Sequence, residues 1–240
     1  MKKTISIILS IIFAVSLIIV IFFTSMDLTI YGNMPQSFVN ECVKYEVLDD
    51  VGVTEEDLAV VTEQMFEYLR GNREELSDIK TTINGQPDTY FFNEKECMHL
   101  ADCRKLFTGG YAIRRYCIIL CIILLAVILL INRKEIQQGW HALAVGTLSG
   151  TIGFVAVLAI LGSLIAANFQ KYFTMFHLIF FDNDLWILDP TKDRLLMIMP
   201  EGYFMDCVKS IVLYFIAGLV ILLVASILRL NYEKNHLHIN

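Results

Sequence analysis

The sequence predicts a mainly α membrane protein: four transmembrane helices with a small mixed extracytoplasmic cap. Hydrophobic side chains make up 56% of the 240 residues and charged ones 18%, a balance too apolar for an ordinary soluble domain of this size. Four runs, residues 5–23, 112–131, 140–167 and 211–228, reach or approach the ~20 mostly apolar residues a helix needs to cross hydrocarbon. The charges are also sorted. Residues 26–110 hold 17 Asp and Glu against 7 Lys and Arg, while the short pieces on the other side carry Lys2, Lys3, Arg133, Lys134, Arg229 and Lys234 against Glu135 and Glu233. This positive-inside pattern puts both termini in the cytoplasm and the acidic segments outside. The net charge of −6 is then an outward property and argues against a nucleic-acid partner.

The first transmembrane helix occupies residues 1–25. Met1-Lys2-Lys3 resembles the start of a secretory signal, but the apolar core is longer than the usual ~7–15 residues and no small-residue cleavage site follows, so the run reads as a retained anchor. The extracytoplasmic cap covers 26–110. Its opening stretch, 27–46, mixes Gly32, Asn33, Pro35 and Asn40 without a sustained period and reads as a loop. Thr54-Glu55-Glu56-Asp57 resembles a capping box, and Leu58, Val61, Met65 and Leu69 behind it are spaced as one helix face ending at Arg70-Gly71-Asn72. Asn84-Gly85 marks a turn between short strands at 80–83 and 89–91. Asn93, with Glu96 three residues on, starts a helix over 94–106, which Gly109-Gly110 would break before the second transmembrane helix at 111–131.

A cytoplasmic turn at 132–139 makes the second and third transmembrane helices antiparallel neighbours, the third spanning 140–167. Gly146 and Gly150 stand in GxxxG spacing, which lets helices approach closely inside a monomer. In the second extracytoplasmic loop, 168–206, residues 176–181 read as a strand or re-entrant piece. Trp186 suits a lipid–water interface, and Pro200 fits the first turn of a helix entering the fourth transmembrane helix at 207–229. A cytoplasmic tail follows at 230–240. The six cysteines form no CxxC pair. Cys117 and Cys121 sit one turn apart in an apolar span, and Cys97 and Cys103 are poorly spaced for a mutual disulfide.

His99 and His177 are the candidate catalytic residues. Each lies in a polar stretch next to an apolar span on the same predicted side, among aromatics that would exclude water, whereas His141 falls on the opposite face and His236 and His238 in the tail. On a helix Glu96, His99, Asp102 and Cys103 share one side, which makes Glu96 and Asp102 candidate supports. Arg114 and Arg115, at the outer end of the second span, are candidates for lipid anchoring or for headgroup or oxyanion contact. His99, Asp102 and His177 together would supply three metal ligands, but there is no HExxH motif, no GxSxG elbow and no phosphate loop.

The stretch Phe92-Asn93-Glu94-Lys95-Glu96-Cys97-Met98-His99-Leu100-Ala101-Asp102 resembles a signature of the lipoprotein intramolecular transacylases of Gram-positive bacteria. So does Phe176-His177-Leu178-Ile179-Phe180-Phe181, continuing through Trp186, Asp189-Pro190 and Pro200, and the span layout agrees. The resemblance implies an acyltransferase that moves the sn-2 acyl chain of a diacylglyceryl-cysteine lipoprotein to the α-amine of the same cysteine. It implies His99 and His177 as the functional histidines. Diacylglyceryl-modified lipoproteins and membrane lipid are then the expected partners, no cofactor or metal is expected, and the chain is expected to act as a monomer. A neutral imidazole suits the proton transfers of an amine attacking an ester; His99 is the first candidate for base and His177 for donor, and the two roles are exchangeable. Two other readings stand beside this one: a non-enzymatic outer sensor or binding module, and a metal-dependent membrane hydrolase.

Overall fold

The structure, a computed structural model, describes residues 2–236, the side chains at 165, 166 and 169 apart; His238 lies outside them. In chain order the elements are α1 Lys2–Tyr31, α2 Gln36–Lys44, α3 Val47–Val51, α4 Glu55–Arg70, β1 Lys80–Ile83, β2 Gln86–Tyr90, α5 Glu94–Ile131, α6 Ile136–Ala167, α7 Phe169–Phe180, α8 Arg194–Ile198 and α9 Glu201–His236. Contacts divide them into two units, one of Met1–Met26, Ala112–Phe169 and Val212–Asn240, the other of Asp27–Tyr111 and Gln170–Ile211. Among the described residues four helices, α1, α5, α6 and α9, are long and apolar enough to cross a membrane.

The first unit is a bundle of apolar helices whose small and polar side chains face inward. Ser6, Ser10, Ala14, Ser16 and Ile18 of α1 are buried, while Ile5, Ile8, Ile11, Ile12 and Val15 are exposed, as expected where lipid is as good a solvent for leucine as another helix. Gly146 and Gly150 of α6 are spent inside the monomer. A Cβ at Gly146 would lie 2.3 Å from Ser10 Cβ, and one at Gly150 would lie 2.9 Å from Ala14 Cβ. Ile18, Phe215 and Leu219 form a second contact cluster, and Asn132 donates to Ser6 Oγ at 2.9 Å. His141 of α6 meets Glu233 through Nδ1 at 2.6 Å, and Arg229 holds the other Glu233 oxygen at 2.7 Å.

The second unit has its own core, built on Phe38, Val39, Cys42, Leu58, Val61, Met65, Leu69, Ile79, Phe91, Leu195, Ile198 and Tyr203. The predicted α4 forms, with Thr54 as N-cap accepting from the Asp57 N–H and Gly71 in the left-handed region closing the C-terminus. The hairpin forms too. Lys80 pairs with Tyr90 and Thr81 with Thr89 across Asn84 and Gly85, both at positive φ, as a two-residue turn of this hand requires.

Three local expectations are overturned. Residues 27–46 are mostly helical: α1 runs on to Tyr31, and α2 buries Phe38, Val39 and Cys42. At nine residues α2 is too short to display a period, and its stability comes from packing. Gly109 and Gly110 do not break α5, which continues from Glu94 to Ile131. Two glycines cost about 1 kcal/mol each in a helix interior, less than leaving a helix end's worth of N–H and C=O groups unsatisfied. Residues 176–181 are not a strand; through Phe180 they are the last turns of α7, where a short run of apolar side chains interrupted only by His177 carries no period to read. The connection between α5 and α6 is also shorter than expected, because α6 starts at Ile136.

Candidate active site

Both candidate histidines belong to the second unit and meet there. His99 lies in the early part of α5, ahead of the apolar run 112–131, and His177 in the last turn of α7. Their ring centroids are 6.3 Å apart with planes inclined at 31°, and each residue is only 8% exposed. Phe181 closes one side, 5.4 Å from either ring.

His177 is held on every side. One turn back along α7, Phe173 gives it a ring contact at 4.4 Å and a backbone carbonyl that accepts from Nδ1 at 2.7 Å. Since a carbonyl only accepts, Nδ1 carries a proton, and in the neutral ring it is Nε2 that carries the lone pair. Trp186 stacks on the ring at 4.7 Å and 28°. The loop that brings it there turns at Asn183, whose side-chain oxygen accepts from the Leu185 N–H at 3.0 Å and whose amide donates to Asp102 Oδ2 at 2.8 Å.

His99 is held more loosely. Nε2 lies 3.6 Å from the Cys103 sulfur, one helical turn on, and Nδ1 is buried without a hydrogen-bond partner. Burial, and then the neighbouring His177, pull its pKa down from the ordinary 6.5 to about 4, so the ring stays neutral through the physiological range.

The two carboxylates do not orient His99. Glu96, 1% exposed, accepts the Asn93 N–H at 2.7 Å and the Leu195 N–H at 2.6 Å, while Asn93 Oδ1 accepts the Glu96 N–H at 2.9 Å. It is thus the far half of a capping box and ties the start of α5 to the start of α8; burial raises its pKa. Asp102 binds Lys105 at 2.7 Å and Asn183, contacts that lower its pKa and anchor the loop carrying Trp186. Arg114, half-buried, and Arg115, exposed, lie in the other unit. Among the described residues no three His, Cys, Asp or Glu side chains cluster closely enough to hold a metal ion.

What sequence reasoning missed are the partners of the His177 ring, the Phe173 carbonyl and the Trp186 stack, and the supports behind the site, the Asn183 tether and the buried Asp193, which accepts from Asn93 at 2.7 Å. The spacing of Phe173, His177 and Phe181 would have signalled a shared face had 169–180 been read as a helix.

An apolar four-span fold defines an integral membrane protein, and its second unit buries two imidazoles side by side. The sequence model for the lipoprotein intramolecular transacylase Lit matches residues 11–204, most of the chain, and the chain belongs to that family; it is an acyltransferase. Among solved structures it is similar to the membrane integral lipoprotein intramolecular transacylase Lit from Bacillus cereus. The TM-score is 0.73 at 19% identity, over 96% of this chain and 98% of that one. Two further structures of that enzyme are also similar at 18% identity over 96% of this chain. One, with a histidine replaced by alanine, gives a TM-score of 0.71 over 96% of its length; the other, with a histidine replaced by arginine, gives 0.70 over 94%. No curated protein matched the chain. The family assignment does not favour the sensor and metal-hydrolase readings.

Proposed function

We propose that His99 and His177 carry the acyl shift of this transacylase, in which the sn-2 acyl chain of a diacylglyceryl-cysteine lipoprotein passes to the α-amine of the same cysteine. The observation behind this reading is the pairing of two buried rings with unlike hydrogen bonds, Nδ1 of His177 on the Phe173 carbonyl and Nδ1 of His99 on nothing. That asymmetry favours His177 as the base, the exchanged form of the assignment drawn from sequence.

His177 Nε2 takes a proton from the amine as its nitrogen attacks the ester carbonyl. The oxyanion that forms accepts a hydrogen bond from neutral His99. Collapse breaks the bond to the glycerol oxygen, which takes the proton back from His177. One ester becomes one amide plus one alcohol, so no water, cofactor or metal enters the balance. Because amine and ester belong to one substrate, the main task is to fold that headgroup into attack geometry.

The charge distribution supports cytoplasmic termini and an extracytoplasmic site. Use of Gly146 and Gly150 within the chain supports a monomer. The test is conversion of a diacylglyceryl lipoprotein by the full chain in lipid, read by mass spectrometry of the N-terminal peptide. His99→Asn and His177→Asn should each lose about 100-fold or more in turnover while still inserting. Undiminished turnover by either variant rejects its role.

A further inference from the structure

The buried nitrogen of His99 that lacks a partner and the thiol at its other nitrogen are two halves of one device. A neutral imidazole has one N–H, and only one tautomer is useful to an oxyanion: the one whose proton is on the nitrogen left free. Nε2 is taken by Cys103 Sγ at 3.6 Å, a contact fixed by the i, i+4 geometry of α5 rather than by a flexible approach. Nδ1, on the other side of the ring, is enclosed in a residue 8% exposed and makes no hydrogen bond. A buried polar atom left unpaired is costly and marks a position completed by something absent from the resting protein.

We infer that Cys103 is a positioning residue: its S–H donates to His99 Nε2, holding the proton on Nδ1 and presenting that N–H to the oxyanion of the acyl shift. The direction of the bond follows from the partners. An imidazole nitrogen is a good acceptor, whereas thiol sulfur is a weak one, so S–H to N is the favoured arrangement over N–H to S. The thiol is also kept protonated, since burial pushes its pKa up to about 12, which removes it as a nucleophile and leaves it a donor. Neither Glu96 nor Asp102 competes, because backbone N–H groups occupy the first, and Lys105 and Asn183 occupy the second. The inference rests on His99 acting as oxyanion donor.

The experiment pairs turnover with a signature that does not depend on turnover. In full-length protein labelled with nitrogen-15 at histidine, long-range nitrogen–proton correlation distinguishes the protonated ring nitrogen from the unprotonated one. Native protein should show His99 protonated at Nδ1. Cys103→Ala should redistribute the proton between the two nitrogens and lower kcat about tenfold with KM unchanged, and Cys103→Ser, which restores a donor, should recover both. A His99 proton already on Nε2 in the native protein, or a tautomer indifferent to Cys103→Ala, overturns the inference while leaving the histidine pair standing. A redistributed proton with unchanged kcat overturns the positioning role. Full activity of His99→Asn fails the underlying reading instead.

Discussion

Burial of His99 makes its protonation a cost to the native state. The unfolded chain binds a proton there below about 6.5, the native one only below about 4, so in between the unfolded state holds more protons. Native stability is therefore undiminished above 6.5, declines as pH falls from 6.5 to 4, and takes no further loss from this group below that. The thermal midpoint of the detergent-solubilised protein should fall more steeply across that window for native protein than for His99→Asn; parallel curves would disprove it. At the neighbouring ring the stack with Trp186 sets orientation. Trp186→Ala should lower kcat about fivefold, the scale of one aromatic pair, and Trp186→Phe should lose less. Equal losses in the two variants would argue that the indole N–H matters rather than the stack.

At the scale of elements, Glu96 decides how α5 and α8 begin together. Removing its carboxylate strands the Asn93 and Leu195 N–H groups, so Glu96→Ala should cost about 2 kcal/mol or more and lower the thermal midpoint. Turnover per folded molecule at low temperature should hold. A selective fall in kcat with unchanged stability would restore Glu96 to a direct role at His99. The unbroken α5 offers a complementary case. Nothing lies within 4 Å of a Cβ built on Gly109, so Gly109→Ala should stabilise the helix by up to about 1 kcal/mol without loss of turnover. A drop in turnover would show that the position must bend.

For the molecule as a whole, stability of the membrane unit depends on how closely α6 approaches α1. A side chain at Gly146 would strike Ser10 Cβ and backbone, and Gly146→Val should cost about 1–3 kcal/mol by overpacking, seen as a lower midpoint in micelles. An unchanged midpoint would show that the helices separate freely. The two units also differ in how readily the sequence announces them. The spans, the α4 helix behind Thr54 and the Asn84-Gly85 hairpin were legible because each rests on a local rule: apolar length, a cap three residues from its partner, a turn that demands positive φ. Helices α2 and α7 and the continuity of α5 were not legible, since a short helix or a glycine pair has no local signal strong enough to outweigh the packing that settles its conformation.

The sequence by itself determined the membrane class, the sorting of charge and, through resemblance, the two histidines proposed to carry the chemistry. It also put Cys103 on the same helical side as His99. Only the tertiary structure decided that His99 and His177 approach to 6.3 Å, that Glu96 is occupied as a cap, and that a carbonyl holds one ring while a thiol meets the other. Span length and charge bias are sums over many residues and survive without coordinates. The partner of a ring nitrogen is a single contact, set by where α5, α7 and the loop through Trp186 come to rest.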